Sequence, residues 1–356
     1  MGSKRKTIIR EYHSQKNEYI ALGDLISSML KEAVKKANID TLAIEHRVKS
    51  EKSLCTKLDL KGDKYSSIDD ITDVLGARII CFYCDDVDKV ANVLQGMFDI
   101  DWENSVDRRE VLNPDSFGYL SLHYIASLPK NKGYPENFLD KKFEIQIRSI
   151  LQHTWAAINH DLGYKTQVDV PRSITRDLSK VAGLLEFADD QFVNIRDRVK
   201  AYGEDIKNRI ANNEADDVLI DLVSLREFVQ YNKDMIALVN DMAGICDARV
   251  NFVEPGIYVR QLAFLGIKTI GDLETMLSEN RELALALARK SLEKPEIDTL
   301  STNNGFRFLC RAELLNKNYP IEKIVEFINL SLDNEKRAGK HAMHLMKIYN
   351  QICEEL

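Results

Sequence analysis

Nowhere in this chain of 356 residues does an apolar run approach the roughly eighteen residues that a bilayer-spanning helix needs. The opening stretch, MGSKRKTIIR, has no apolar core of leader-peptide length, so the expected location is the cytoplasm. Cysteine is sparse and scattered: six residues, of which only Cys81 and Cys84 form a C-x-x-C. No second pair stands at zinc-binding distance, so reduced thiols are expected rather than a metal knot. Neither G-x-x-x-x-G-K-[ST] nor G-x-G-x-x-G occurs, which removes the sequence support for P-loop and Rossmann folds. There is no repeat of fixed period and no low-complexity tract. A net charge of −7 excludes bulk electrostatic attraction to nucleic acid, but it leaves room for a local basic cleft.

What remains is an ordinary globular composition, 44% hydrophobic and 29% charged, long enough for two domains. Residues 11–37 space their apolar side chains as a core-facing helix does, and residues 41–49 read as extended or mixed. Arg78 to Cys84 is a continuous apolar strand, followed by an amphipathic helix that Asp85 and Asp86 open. Trp102 to Leu112 and Tyr119 to Leu128 read as further strands, separated by the turn cluster Asn113-Pro114-Asp115-Ser116. Phe143 to Ile147 alternates apolar with polar, and the period then changes to that of a helix. Strands alternating with helices in this way predict one mixed α/β domain. After Pro171 a long helix is expected to about Val199, with Ile174, Leu178, Val181, Leu185, Phe192, Ile195 and Val199 on one face. The polar stretch 212–217 marks a boundary, so the predicted domains are 1–212, with a core at 41–165, and 213–356, all helical, with breaks at Pro255-Gly256, Gly271, Pro295 and Pro320.

The most informative segment is FEIQIRSILQHTWAAINHDLGYK at 143–165. Its strand places Glu144, Gln146 and Arg148 on one side, and its helix carries His153 and His160 two turns apart. Four other clusters accompany it. HRVKSEKSLCTKL supplies Arg47, Lys49, Ser53 and Lys57. DVLGAR puts Asp73 just before a strand and Arg78 just inside it. DSFGYLSLH aligns Tyr119, Ser121 and His123 beside Gly118. Two carboxylates together with substrate phosphates are a usual way to hold Mg²⁺. Arginine and lysine clamp phosphate oxygens, and a tyrosine or guanidinium plane stacks on a base. The set suits phosphoryl transfer, in which positioning and charge neutralisation provide most of the catalysis. Singly, each residue has an ordinary reading: Asp73 as a strand entrance, Tyr119 as a strand tyrosine, Arg47 and Lys49 as a solvated edge, Trp155 as core, His160 as a structural hydrogen-bonding group. Only jointly do they point to one nucleotide site.

These stretches, RVKSEKSLCTKL, DVLGARI, GYLSLH and FEIQIRSILQHTWAAINHDLGYK, come in the order and spacing of the RelA/SpoT synthetase domain, which residues 41–165 resemble. The resemblance implies a mixed five-stranded sheet flanked by helices, nucleotidyltransferase-like, and transfer of pyrophosphate from ATP to the ribose 3′-hydroxyl of GDP or GTP. By the same resemblance Arg47 would stack on adenine, while Lys49, Ser53, Lys57 and Arg78 would hold the ATP phosphates. Asp73 and Glu144 would bind Mg²⁺, with Glu144 also the proton acceptor. Tyr119 would stack on the acceptor base, with His123, Gln146 and His153 nearby. Two positions depart from the compact synthetases: Cys55 replaces a frequent second lysine, and His153 stands where an asparagine commonly contacts guanine. Family members of toxin type act instead on the 3′ end of tRNA, so tRNA is the alternative acceptor. A catalytically silent nucleotide sensor is the alternative outside enzymology. No metal-binding hydrolase domain is expected ahead of the synthetase. The region from 213 onward is expected to regulate, to oligomerise or to bind a protein partner. Within it, LAFLGIKTIGDLETML at 262–277 is like half of a helix-hairpin-helix, but Thr269 capping an ordinary packed helix is the favoured reading.

Overall fold

The computed structural model describes residues 2–61, 64–107, 121–165, 172–292 and 297–355. It contains two compact units, Met1–Arg196 and Asp197–Leu356. The polar stretch expected to mark the boundary follows the helix Arg172–Ala211, and the two units divide inside that helix. Among the described residues no helix is long and apolar enough to cross a membrane.

The first unit opens with α1 (Gly2–Lys36), which buries Ile8, Tyr12, Tyr19, Leu22, Ile26, Leu30 and Val34 along one stripe. Lys35 and Lys36 complement the negative end of its dipole. Asn38 then takes a left-handed conformation (φ 53°), and the Ile39 N–H reaches back to the Val34 carbonyl, which stops the helix. The chain continues through β1 (Thr41–Val48), α2 (Glu51–Lys61), β2 (Leu75–Cys81), α3 (Asp85–Gln95), β3 (Asp99–Ile100), β4 (Val106–Asp107), β5 (Leu122–Ser127), α4 (Glu136–Leu139), β6 (Phe143–Ser149), α5 (Ile150–Lys165) and α6 (Arg172–Ala211). The sheet runs β1-β2-β6-β5-β3, five strands as expected, and β4 adds a sixth that pairs with β5. β2 and β6 are parallel and the other pairs antiparallel, so the sheet is mixed.

Three sequence expectations shift. The strand foreseen at 78–84 begins at Leu75 and ends at Cys81, because Leu75 to Ala77 pair with Val48 to His46 and lengthen the ladder. Arg78 is therefore central in its strand. In the stretch expected to be a strand from Trp102, Asp101 accepts hydrogen bonds from Asn104 and from the Ser105 hydroxyl, and makes a turn. Local side-chain acceptors here outcompete the ladder. Among the described residues of that stretch, only Val106 and Asp107 are strand. Third, the apolar face of α6 is not a core face along its length. Ile174, Val181, Phe192 and Ile195 are about half exposed, at 47, 46, 51 and 52%.

The second unit comprises α7 (Leu222–Tyr231), α8 (Lys233–Ile245), β7 (Arg249–Asn251), α9 (Gly256–Phe264), α10 (Ile270–Leu292), β8 (Thr299–Ser301), α11 (Asn303–Asn316), α12 (Ile321–Leu332) and α13 (Glu335–Glu355). It is largely but not wholly helical, since β7 and β8 form a parallel three-residue pair. Phe228, Leu238, Met242, Leu273, Phe306 and Leu309 lie in its core. Thr269 caps α10: its hydroxyl accepts from the Asp272 N–H while Asp272 accepts from the Thr269 N–H. Gly271 lies in the first turn of α10, and Pro255 and Pro320 sit at the starts of α9 and α12. Pro295 lies outside the described residues.

Candidate active site

Strand register builds the site. Arg47 on β1 lies opposite Gly76 on β2, Gly76 beside Glu144 on β6, and Glu144 opposite Ile125 on β5. One step along, Glu45, Arg78, Gln146 and His123 form a second row. Side chains two apart share a face of a strand, so Arg47, Arg78, Glu144, Gln146 and His123 rise from one side of the sheet. Gly76 puts no side chain in the first row, and a Cβ there would meet nothing within 4 Å. That glycine opens the floor between Arg47 and Glu144.

Over this floor lies a cavity of about 730 Å³ that Arg47, Lys49, Ser53, Asp73, Arg78, Glu144 and Gln146 all line. Ser50 and Ser53 bring the start of α2 to it; Ser50 Oγ accepts the Ser53 N–H at 3.2 Å, which caps the helix. Such a helix start carries partial positive charge and suits an anion. Seven residues nominated from sequence thus converge on one cavity, and two more hold its carboxylates. Lys57 Nζ donates to Asp73 Oδ1 at 2.7 Å, while Lys49 Nζ lies 3.0 Å from Oδ2. Across the cavity, Glu144 Oε1 bonds His123 Nδ1 at 2.8 Å and Oε2 accepts from Gln146 Nε2 at 2.8 Å.

Charge follows from these partners. Burial pulls the Asp73 carboxyl upward, but the Lys57 hydrogen bond and the Lys49 charge outweigh it and leave the pKa below the ordinary value. Glu144 is likewise raised by burial and, more weakly, by Asp73, yet His123 and Gln146 bring it below the ordinary value. Both carboxylates are therefore ionised at neutral pH. An ionised Glu144 can only accept, so His123 Nδ1 is the donor of that pair. The other ring nitrogen, Nε2, is buried without a partner among the described residues.

His153, on α5, does not line the cavity but feels its charges. Burial, then Arg78 and Arg148, hold its pKa below the ordinary value, against a pull from Glu45, and its Nδ1 is buried without a hydrogen bond among the described residues. Trp155 is buried, at 7% exposure, as a core residue should be. Tyr119 and Gly118 lie outside the described residues, as does the side chain of His160. Ser121 is wholly buried. Sequence reasoning passed over Glu45, His46 and Ser50, which also line the cavity. The alternation of Glu45 with Arg47 in TLAIEHRV was the signal for the first of these.

Known proteins match where the cavity lies. Residues 46–169 fit the family model described as a region found in RelA / SpoT proteins. GTP pyrophosphokinase YwaC of Bacillus subtilis is 35% identical over 162 residues, which cover 44% of this chain and 75% of that relative. GTP pyrophosphokinase YjbM of the same organism is 28% identical over 155 residues, 43% of this chain and 71% of its own. Among solved structures, small alarmone synthetase 2 from Bacillus subtilis aligns over 51% of this chain and 98% of its own, at 31% identity and a TM-score of 0.44. With a relative of this identity matched over three-quarters of its length, and with the family region spanning the cleft, the chain belongs to the RelA/SpoT family.

Proposed function

We propose that this cleft is an ATP-dependent pyrophosphokinase site, transferring pyrophosphate to the ribose 3′-hydroxyl of GDP or GTP. The hydroxyl oxygen attacks the β-phosphorus of ATP, the bond to the α-phosphate oxygen breaks, AMP leaves, and a guanosine tetra- or pentaphosphate forms. The observation that carries the reading is the opposition, in one cavity, of two ionised carboxylates to Arg47, Lys49 and Arg78.

Arg47, exposed at the rim, would cover the adenine, and Lys49, Ser53 and Arg78 would hold phosphate oxygens. Lys49 and Lys57 neutralise Asp73 and can turn to the phosphates when a nucleotide enters. Asp73 and Glu144 are hard oxygen donors, ionised and within each other's field, and they fit Mg²⁺. Among the described residues no third His, Cys, Asp or Glu joins them, so nucleotide phosphates would complete the shell. The ion would supply neutralisation of the transferring phosphates. Glu144 with His123 forms the proton-accepting unit: Glu144 fixes the ring through Nδ1, and the unpartnered Nε2 or the carboxylate itself takes the hydroxyl proton. Gln146 steadies Glu144 and borders the acceptor.

A silent sensor would have no need of two like charges in one cleft, an arrangement that costs stability unless compensated. tRNA remains the competing acceptor because His153 holds a neutral ring behind Arg78 where a compact synthetase commonly has asparagine. One assay separates the three. Purified protein receives ATP labelled on its terminal phosphate together with GDP, GTP or deacylated tRNA. Label on the guanosine nucleotide upholds the proposal. Label on tRNA alone replaces the acceptor, and no transfer with intact ATP binding leaves the sensor.

A further inference from the structure

Away from the cleft, the second unit holds a cavity of about 280 Å³ walled by cations. Arg307 and Arg311 enter it from α11, one helical turn apart, and Arg337 and His341 from α13 at the same spacing. Like charges four residues apart destabilise a helix; Arg307 and Arg311 are such a pair, and Arg337 faces the same space. Among the described residues no carboxylate pairs with any of the three guanidinium groups, and no Asp or Glu lines the cavity. In a chain with 56 acidic side chains against 49 basic ones, that lack of counter-charge calls for a cause.

Packing holds the charges in place. The guanidinium carbons of Arg307 and Arg311 lie 5.5 and 5.9 Å from the centre of one buried ring, Phe308. Tyr258, stacked on Phe306 at 5.2 Å, and the buried Gln261 add polar groups to the wall. Burial and then Arg307 push the Arg311 guanidinium down to about 10. Burial, then Arg311, Arg337 and Arg307, hold His341 below its ordinary value.

We propose that this cavity binds a phosphate-type oxyanion, either a free phosphate or pyrophosphate ion or the phosphate end of a larger molecule. Guanidinium forks match phosphate oxygens in pairs, and three of them with an imidazole suit more than one negative charge. The volume lies just under the ~300–1,000 Å³ of sites that enclose whole drug-sized ligands, so the cavity takes the anion and little else.

Pyrophosphate titrated calorimetrically into the full chain, in magnesium-free chloride buffer, tests the site. The cleft also takes phosphates, so the comparison is between Arg78→Gln and Arg311→Gln. The expected result is a binding step that survives Arg78→Gln and weakens about tenfold or more in Arg311→Gln. Loss of all binding in Arg78→Gln with none in Arg311→Gln, or no step in the wild type at millimolar pyrophosphate, overturns the proposal. Should Arg311→Gln fail to fold by circular dichroism, Arg337→Gln at the exposed rim carries the same expectation. In addition, the His341 ring protons should titrate at higher pH with pyrophosphate than with chloride in Arg78→Gln; an unmoved midpoint counts against the site. In that background, competition by a non-hydrolysable ATP analogue identifies the phosphate end of a larger molecule, and competition by inorganic phosphate alone identifies the free ion.

Discussion

At the scale of single residues, the site is governed by what each carboxylate oxygen touches. All four oxygens of Asp73 and Glu144 have a partner: lysine on one side, histidine and glutamine on the other. Replacing Glu144 with glutamine keeps the shape but removes the charge, and with it the proton acceptor proposed above. Turnover of labelled ATP is expected to fall about 10²–10⁴-fold, the usual worth of a positioned base. Retention of full transfer would refute the role given to Glu144. The pH dependence follows from the two depressed pKa values. A carboxyl whose native pKa lies below its unfolded one contributes stability above the unfolded value and loses it as pH falls through the native value. Denaturant midpoints should therefore hold from neutrality to about pH 5 and decline below the ordinary carboxylate range, near about 4. Lys57→Met removes the strongest of the partners that lower Asp73, so that variant should be less stable at neutrality and lose less of its stability on acidification.

Elements carry the site only as well as they pack. α1 approaches β1 closely at Gly23, where a Cβ would stand 2.4 Å from His46 Cδ2 and 3.1 Å from Leu75 Cδ1. Gly23→Ala must push His46 and with it β1, the strand that carries Arg47 and Lys49 toward the cavity. Overpacking of this kind costs about 1–3 kcal/mol, and urea unfolding followed by tryptophan fluorescence should register it together with weaker ATP binding. α7 offers a cleaner test in the second unit. Asp221 accepts the Ser224 N–H at 2.8 Å while Ser224 Oγ accepts the Asp221 N–H at 2.8 Å, a reciprocal cap. Asp221→Ala should lower stability by about 1 kcal/mol, visible in urea melts followed by circular dichroism and absent from the fluorescence of the first unit. Elements with a clear period, such as α3 and β6, were legible from sequence alone. β3 and β4 were not, since two residues of strand hold no period to read, and Asp101 turned the chain where apolar residues suggested a strand.

At the scale of the whole molecule, the described residues form two hydrophobic cores. One gathers Leu22, Ile26, Leu75, Phe143 and Ile145; the other gathers Phe228, Leu238, Phe306 and Leu309. Both tryptophans, Trp102 and Trp155, belong to the first unit, so fluorescence reports on it while circular dichroism reports on both. Leu309→Ala, at a fully buried position, should cost about 2–5 kcal/mol in a transition seen by circular dichroism and leave the fluorescence transition in place. Ile145→Ala should shift the fluorescence transition and leave in place the part of the circular-dichroism signal that belongs to the second unit; a fluorescence shift in Leu309→Ala would mean that the cores unfold as one.

The sequence by itself determined which residues of the first unit share a strand face, because strand alternation and motif spacing already place Glu144 with Gln146, Asp73 before Arg78, and the basic segment ahead of both. Side-chain period is a local property, and it survives without knowledge of the fold. Only the tertiary structure decided which strands are neighbours, and hence that Arg47 and Glu144 face each other across Gly76, that Lys57 and His123 hold the two carboxylates, and that Glu45 and His46 share the cleft. It alone brought Arg307 and Arg311 to Arg337 and His341. These pairs belong to different helices, and nothing in a local pattern records that two helices will meet.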